Sequence, residues 1–396
     1  MNAPLKIDPL SPEFRRNSIA IYQQLLQTQP ITALDGGRYL LCGYHDVKRA
    51  LTDLEAFRRP IEASIARREP GSMSEAFARN NMIGLNPPDN TRYRRAMARA
   101  FAPRRVEQLM PAMQKSCDRL IDQMLEKGEC DFIHDFALPL PVAIICQMLN
   151  IPLEDEHLFA GWSAAMLVGL ELSADPNGLA AADKATADLY KYLEEIVAGR
   201  RKSPGDDLIS TLIEAADAEK IRPEEVIWGS ITLLVAGHET TTHLLGNGML
   251  ALIRNPDQLQ LLRDTPTLAE NAVEEFLRYD PSVYVLFRET SENVAFGTTN
   301  IPKGAFLILS LAAANRDPSV FADPDRLDIT RDNAKQHLAF GAGFHLCLGQ
   351  AVARLEGRIA FETLVRRVGT IELSGEPTPR DGLMFTGYHK MPVRLR

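Results

Sequence analysis

The chain has 396 residues, 45% hydrophobic and 24% charged, with 25 glycines and 25 prolines, which excludes a disordered or fibrous protein. Its net charge of −8 argues against nucleic acid as a bulk partner. No apolar run reaches the roughly 18 residues of a membrane span, and the start, MNAPLKIDPLSPEFRRN, lacks a signal-peptide core. A cytoplasmic protein without a membrane anchor is expected.

Residues 11–29 read as a helix, followed by strands at Ile31–Leu34 and Arg38–Leu41 around an Asp35-Gly36-Gly37 turn. A helix begins near His45, with Asp46 in its first turn. Residues 55–85 read as a long loop with some helix, the kind of segment that is often functional. Its basic pairs, Arg58-Arg59 and Arg67-Arg68, could meet a carboxylate, but a solvated loop is the preferred reading.

From Asn90 to about Ile151 the pattern is helical, broken at Pro103, at Lys127-Gly128-Glu129 and at Pro139/Pro141. Two amphipathic helices fill 153–202, separated at Ser173–Gly178. Pro223 opens a long helix that Asn255-Pro256 stops, and Thr267–Tyr279 is another. Short strands follow in VYVLFRET, ENVAF and AFLILSLAAA, then a Pro/Asp-rich meander from Arg316 to Asn333. A Gly-rich loop, a helix at Gln350–Val368 and C-terminal strands end the chain. No repeat or linker interrupts it. The fold class is mainly α with a smaller β-rich portion, in one domain spanning 1–396.

Five cysteines (Cys42, Cys117, Cys130, Cys146 and Cys347) have no paired spacing, so neither a disulfide framework nor a zinc ribbon is expected. The long helix carries Ala236-Gly-His-Glu-Thr-Thr-Thr-His243, which superficially resembles a zinc-peptidase signature. That signature needs its histidines four apart on one face. His238 and His243 are five apart, about 140° round the helix, and a shared metal is not expected. Each is read as a packed or hydrogen-bonded histidine.

A sharper signal is Phe340-Gly-Ala-Gly-Phe-His-Leu-Cys347-Leu-Gly349, just ahead of a helix. Glycines allow tight turns and close approach to a flat ligand, and a helix N-terminus favours a thiolate. The segment resembles the cysteine-ligand loop of the cytochrome P-450 family, Phe-x-x-Gly-x-His-x-Cys-x-Gly, at every fixed position. Glu275-Phe-Leu-Arg278 is similar to the family's Glu-x-x-Arg motif, Pro324-Asp-Arg326-Leu to its meander, and the Ala236–Thr241 stretch to its oxygen-activating helix. The resemblance spans essentially the whole chain.

It implies a triangular helical prism around a buried haem b, with Cys347 as the thiolate ligand of the iron. It implies that Phe340, Gly341, Gly349, Ala236 and Gly237 border the haem, and that Arg94, Arg288 and His345 meet its propionates. Many members carry His where this chain has Asn90. Asn cannot become cationic, so one propionate is expected to be held less firmly. Glu275, Arg278 and Arg326 would form a non-catalytic structural triad. Glu239 and Thr240 would be the catalytic acid–alcohol pair, although Thr240-Thr241-Thr242 can also bond back to their own helix. Met82, Ile83, Leu233, Val283, Val285, Leu286 and Phe385 fall in segments that line the family's substrate pocket.

The implied activity is a monooxygenase hydroxylating or epoxidising a hydrophobic small molecule with O2, working as a monomer. Electrons would come from a separate ferredoxin and its NAD(P)H-dependent reductase, because no such domain is fused. Arg92, Arg94, Arg95, Arg99, Arg104 and Arg105, with Arg354, Arg358, Arg366 and Arg367, would offer the docking face. A peroxide-driven haem peroxygenase is the alternative, disfavoured by the intact Glu239-Thr240 pair. A haem-bearing scaffold without turnover is another, disfavoured by the complete motif set.

Overall fold

The computed structural model describes residues 7–218 and 220–396; the part of the signal-peptide reading that rests on the segment before Ile7 lies outside the described residues. The fold is mainly helical with a smaller strand portion. Its axis is the helix Pro223–Arg254, with Pro223 in the first turn and Asn255 as the closing residue. A helix apolar on nearly every face must be wrapped by others. Here the wrapping helices are Pro139–Leu149, Glu156–Leu170, Pro176–Lys202, Leu208–Asp217, Ala269–Tyr279 and Gln350–Arg367.

Two apolar cores meet along this axis. One gathers Leu244, Leu245, Met249 and Leu252 with Phe276, Phe361 and Ile121. The other gathers Ile231, Leu234 and Val235 with Tyr93, Phe159, Leu189 and Leu212. Residues 236–243 fall between them, so the polar stretch of the helix occupies the gap that neither core fills.

The largest sheet has five strands in the order Ile31–Leu34, Arg38–Leu41, Phe306–Ser310, Val285–Thr290 and Phe57–Arg58. Arg38–Leu41 runs parallel to Phe306–Leu309, and Val285–Glu289 pairs antiparallel with Phe306–Ser310. Alternation along Val285–Thr290 decides which side chains meet the site. Val285 and Phe287 join Phe14, Tyr22, Leu25 and Ile308 in one core, Phe287 also bordering the cavity, while Leu286 and Arg288 take the other face.

Some elements differ from the sequence expectation. The first helix is two, Pro12–Arg16 and Ser18–Thr28, because Asn17 leaves helical geometry and its N–H closes the first. Leu208–Asp217 is a further helix, capped by the Asp207 carboxylate accepting from the Ser210 N–H. Pro256 opens another, Pro256–Asp264, rather than only ending its predecessor. The AFLILSLAAA run bends after Ser310 into a helical turn, Leu311–Ala314, because the Ser310 hydroxyl accepts from the Ala313 N–H. The 55–85 segment holds the strand Phe57–Arg58 and the helices Ile61–Ile65 and Met73–Asn80. Among the described residues no helix is long and apolar enough to cross a membrane.

Candidate active site

A cavity of about 570 Å³ lies between the central helix and the Gly-rich loop. Ala236, Gly237, Thr240 and Leu233 line one side; Phe340, Gly341, His345, Cys347 and Gly349 line the other. Met82, Ile83, Val283, Leu286 and Phe385 line the remainder, so six of the seven expected pocket residues reach it. Val285 does not. It is fully buried in the outer core, because strand alternation turns it away from its neighbour Leu286.

Cys347 is held by its own loop. Its N–H donates to the Phe340 carbonyl at 2.9 Å. Gly341 and Gly343 have φ of 69° and 66°, and a Cβ on Gly343 would sit 2.7 Å from the Leu51 carbonyl oxygen. Only glycine fits there. Burial pushes the thiol up, while the Gly349 N–H, Arg94, Arg354 and the Gln350 N–H oppose that shift. Arg354 also lies over the Phe340 ring, 4.5 Å from its centroid, and bonds Glu274 at 2.7 Å. Phe340 is thereby fixed beside the sulfur loop.

A cluster of cations gathers at one edge of the cavity. Arg288 is 1% exposed and donates to the Phe287 carbonyl at 2.9 Å; Arg59 donates to the same oxygen at 3.3 Å. Burial, then Arg59, lowers Arg288 to about 9, and burial lowers Arg59 to about 10. Arg94 donates to the Leu346 carbonyl. Burial, then Arg59, Arg288 and Arg94, holds His345 down at about 3. Arg288 Nη2, Arg59 Nε and His345 Nε2 are buried without a partner. Among the described residues none of these arginines has a carboxylate within 4.0 Å. Converging buried cations with unpaired donors call for an anionic ligand.

Arg59 is therefore not part of a solvated loop; of its pair only Arg58 is exposed. Sequence reasoning missed it because nothing local reveals that Phe57–Arg58 joins the sheet beside Val285–Thr290. Asn90 is 1% exposed and donates to the Met82 carbonyl at 2.8 Å, with its Oδ1 unpaired and the residue lining the cavity.

On the central helix, Thr240 lines the cavity while its hydroxyl bonds back to the Ala236 carbonyl at 3.0 Å. The helix runs unbroken through this region. Glu239 does not line the cavity. Its carboxylate accepts from Arg380 Nη1 at 3.0 Å and lies 3.7 Å from His243 Nε2 and 3.9 Å from His238 Nε2. Burial, then Arg380, His389 and His238, pushes His243 down to about 3. Burial also lowers His238, whose Nδ1 donates to the Leu234 carbonyl at 2.8 Å. Burial thus disfavours the charged form of both imidazoles, and no metal-binding cluster exists among the described residues. Arg380, 141 residues from Glu239, was invisible to sequence reasoning.

The expected triad needs one correction. Glu275 meets Arg278 at 2.7 Å and a second arginine at 3.2 Å, but that residue is Arg331, not Arg326. Arg326 contributes only its carbonyl, which accepts from Arg278 and Arg331. The meander turns at Asp323–Arg326, so a guanidinium five residues later comes back under the helix. Neighbouring Glu274, unforeseen, binds His337 and Arg354 and ties the same helix to the Cys347 loop.

The residues fit a flat, dianionic macrocycle with a thiolate-bound metal: a Gly-lined cysteine on one side, a thin helical wall on the other, and unpaired buried cations at the edge. Residues 178–385 match the family model described as Cytochrome P450. The chain is 39% identical to Cytochrome P450 107B1 of Saccharopolyspora erythraea, covering 90% of this chain and 89% of that one. It is 36% identical to the Vitamin D(3) 25-hydroxylase of Pseudonocardia autotrophica, covering 98% and 96%. The solved structure of CalO2 superposes with a TM-score of 0.93 at 29% identity, over 98% of both chains. The chain belongs to the cytochrome P450 family of haem-thiolate monooxygenases.

Proposed function

We propose that this enzyme hydroxylates or epoxidises a hydrophobic small molecule with O2, using electrons from a separate ferredoxin and its reductase. The observation that carries this reading is the single cavity with Cys347 on one side and Thr240 on the other, its remaining walls largely apolar. Cys347 would hold the haem iron through sulfur, and Arg59, Arg94, Arg288 and His345 would meet the propionates. Haem, when bound, supplies the oxygen chemistry.

The protein's own part is to bind substrate, exclude water and deliver protons. Thr240 borders the cavity, and Glu239 is next to it on the far face of the helix. His238 Nε2 and His243 Nε2, both without a hydrogen-bond partner in the protein, border the Glu239 carboxylate. Arg380, 14% exposed, and the exposed His389 continue towards solvent. These groups support a proton route from the surface through Glu239 to Thr240. An intact route is what a peroxide-driven enzyme would not need.

The docking face is smaller than the sequence count of arginines implies. Arg92 is bound by Glu225, Arg105 by Asp206, Arg354 by Glu274, Arg366 by Glu362 and Arg367 by Asp118 and Asp122. Arg94 turns inward. Arg95, Arg99, Arg104 and Arg358 remain without an ion pair among the described residues. With the exposed Phe344 they support docking of an acidic partner near the Cys347 loop.

The test combines two measurements on the holoenzyme. The ferrous carbonyl spectrum should show the thiolate-ligated Soret band, and a surrogate ferredoxin system should drive NADH-dependent, O2-dependent product formation. A thiolate band without turnover of any screened ligand would favour the scaffold reading. Thr240→Ala should retain haem and ligand binding while diverting most reducing equivalents to hydrogen peroxide; full coupling in that variant would remove Thr240 from the route.

A further inference from the structure

Three of the arginines around the cavity, Arg59, Arg94 and Arg288, have an anion to meet in the haem propionates. Three more line the cavity with no such anion assigned to them: Arg38, on the strand Arg38–Leu41, and the adjacent Arg67 and Arg68. Arg67 and Arg68 follow the short helix Ile61–Ile65 and are both half-buried. Residues Glu69 and Pro70, next in the chain, are exposed, so this is the outer rim where the cavity meets solvent.

Among the described residues neither guanidinium has a carboxylate within 4.0 Å, although the Glu171 charge acts on Arg67 from farther off. Arg67 donates to the Glu171 main-chain carbonyl, and Arg68 to the Ser64 carbonyl and, at 3.2 Å, to the Ser64 hydroxyl. The Glu171 carboxylate is occupied elsewhere, accepting from the N–H groups of Leu383, Met384 and Phe385. Glu62 and Glu69 of the same segment form no ion pair with either arginine. Among the described residues the only acid lining the cavity is Glu356, whose carboxyl burial raises to about 8, which disfavours its charged form. Two adjacent, partly desolvated cations repel each other, and their remaining donors need an acceptor. Arginine's forked donors match a carboxylate in particular.

We infer that Arg67 and Arg68 form a carboxylate site at the cavity rim, so that the substrate is a hydrophobic molecule bearing one acid group. Its apolar body lies along Met82, Leu233, Leu286 and Phe385, and its acid group stays at the rim. The rim then fixes which end of the molecule faces Thr240. This inference rests on the proposed function only in taking the cavity as the substrate's room.

The test uses octanoate, dodecanoate and hexadecanoate, each against its methyl ester, titrated into the holoenzyme by calorimetry and by the Soret shift. The best acid should bind about tenfold or more tightly than its ester, the usual worth of a charge-assisted pair. Arg67→Gln/Arg68→Gln should abolish that preference and leave ester affinity unchanged. If the double variant loosens the rim and weakens the ester too, Arg68→Gln alone, whose bonds stay within its own segment, should lose most of the preference. Equal binding of acid and ester, no binding of any acid, or a preference that survives both variants would overturn the assignment. The ferrous carbonyl spectrum is a separate readout: lack of a thiolate band would sink the monooxygenase reading while the calorimetric preference still stands or falls alone.

Discussion

Glu275 has no exposed side-chain surface and is surrounded by Arg278, Arg331 and the Asp328 N–H. Removing Arg331 leaves Glu275 paired with Arg278, but it takes away the Arg331 hydrogen bonds to Glu275 and to the Ala322, Asp323 and Arg326 carbonyls, a loss of about 1–3 kcal/mol for each group left buried and unsatisfied. Arg331→Ala should therefore destabilise the enzyme by about 2–3 kcal/mol in denaturant unfolding. Arg326→Ala should cost under about 0.5 kcal/mol, as a surface change does. The reverse order would restore Arg326 to the triad. Glu356 makes the opposite case, a buried acid held neutral. Its folded value of about 8 stands above its ordinary 4.5, chiefly through burial. Its contribution to stability is full below about 4.5 and is lost as pH rises through about 8. Glu356→Gln should thus gain on the wild type between pH 5 and pH 8 in thermal unfolding; parallel pH profiles would mean the acid is already charged.

The central helix shows how an element can carry both packing and function. Gly248 sits where a Cβ would lie 2.7 Å from Phe361 Cζ and 2.8 Å from Phe276 Cδ2. Gly248→Ala should cost about 1–3 kcal/mol through overpacking, despite Ala's better helix propensity. Gly199, on the helix Pro176–Lys202, is exposed and has open space around its missing Cβ. Gly199→Ala should gain about 0.5–1 kcal/mol. Thermal midpoints moving in opposite directions check the pair. Most helices were legible because their apolar spacing and caps are local features. Leu208–Asp217 could have been found from Asp207 ahead of LISTLIEAAD. The strand Phe57–Arg58 could not, since two residues acquire strand geometry only by pairing with Glu289 and Thr290.

At the scale of the whole molecule, haem and fold stabilise each other. Arg59, Arg94 and Arg288 converge without a carboxylate among the described residues, so haem removal should lower the thermal midpoint markedly. Arg59→Gln should speed haem transfer to apomyoglobin by about tenfold, the scale of one charge-assisted hydrogen bond; an unchanged rate would show that Arg59 meets no propionate. Electron delivery from an acidic ferredoxin should slow steeply as salt rises, and salt-independent reduction would exclude docking through Arg95, Arg99, Arg104 and Arg358. The amino-acid sequence by itself determined the helical class and the Gly-rich loop carrying Cys347, because spacing along one helix or one turn is set by local geometry. Tertiary structure alone decided that Arg331 replaces Arg326, that Val285 faces away, that Arg380 meets Glu239 and that Arg59 enters the cavity. Each of those contacts joins segments distant in the chain or depends on a turn's or strand's facing, settled by strand alternation for Val285 and by which buried charge finds a partner for the others once the cores have packed.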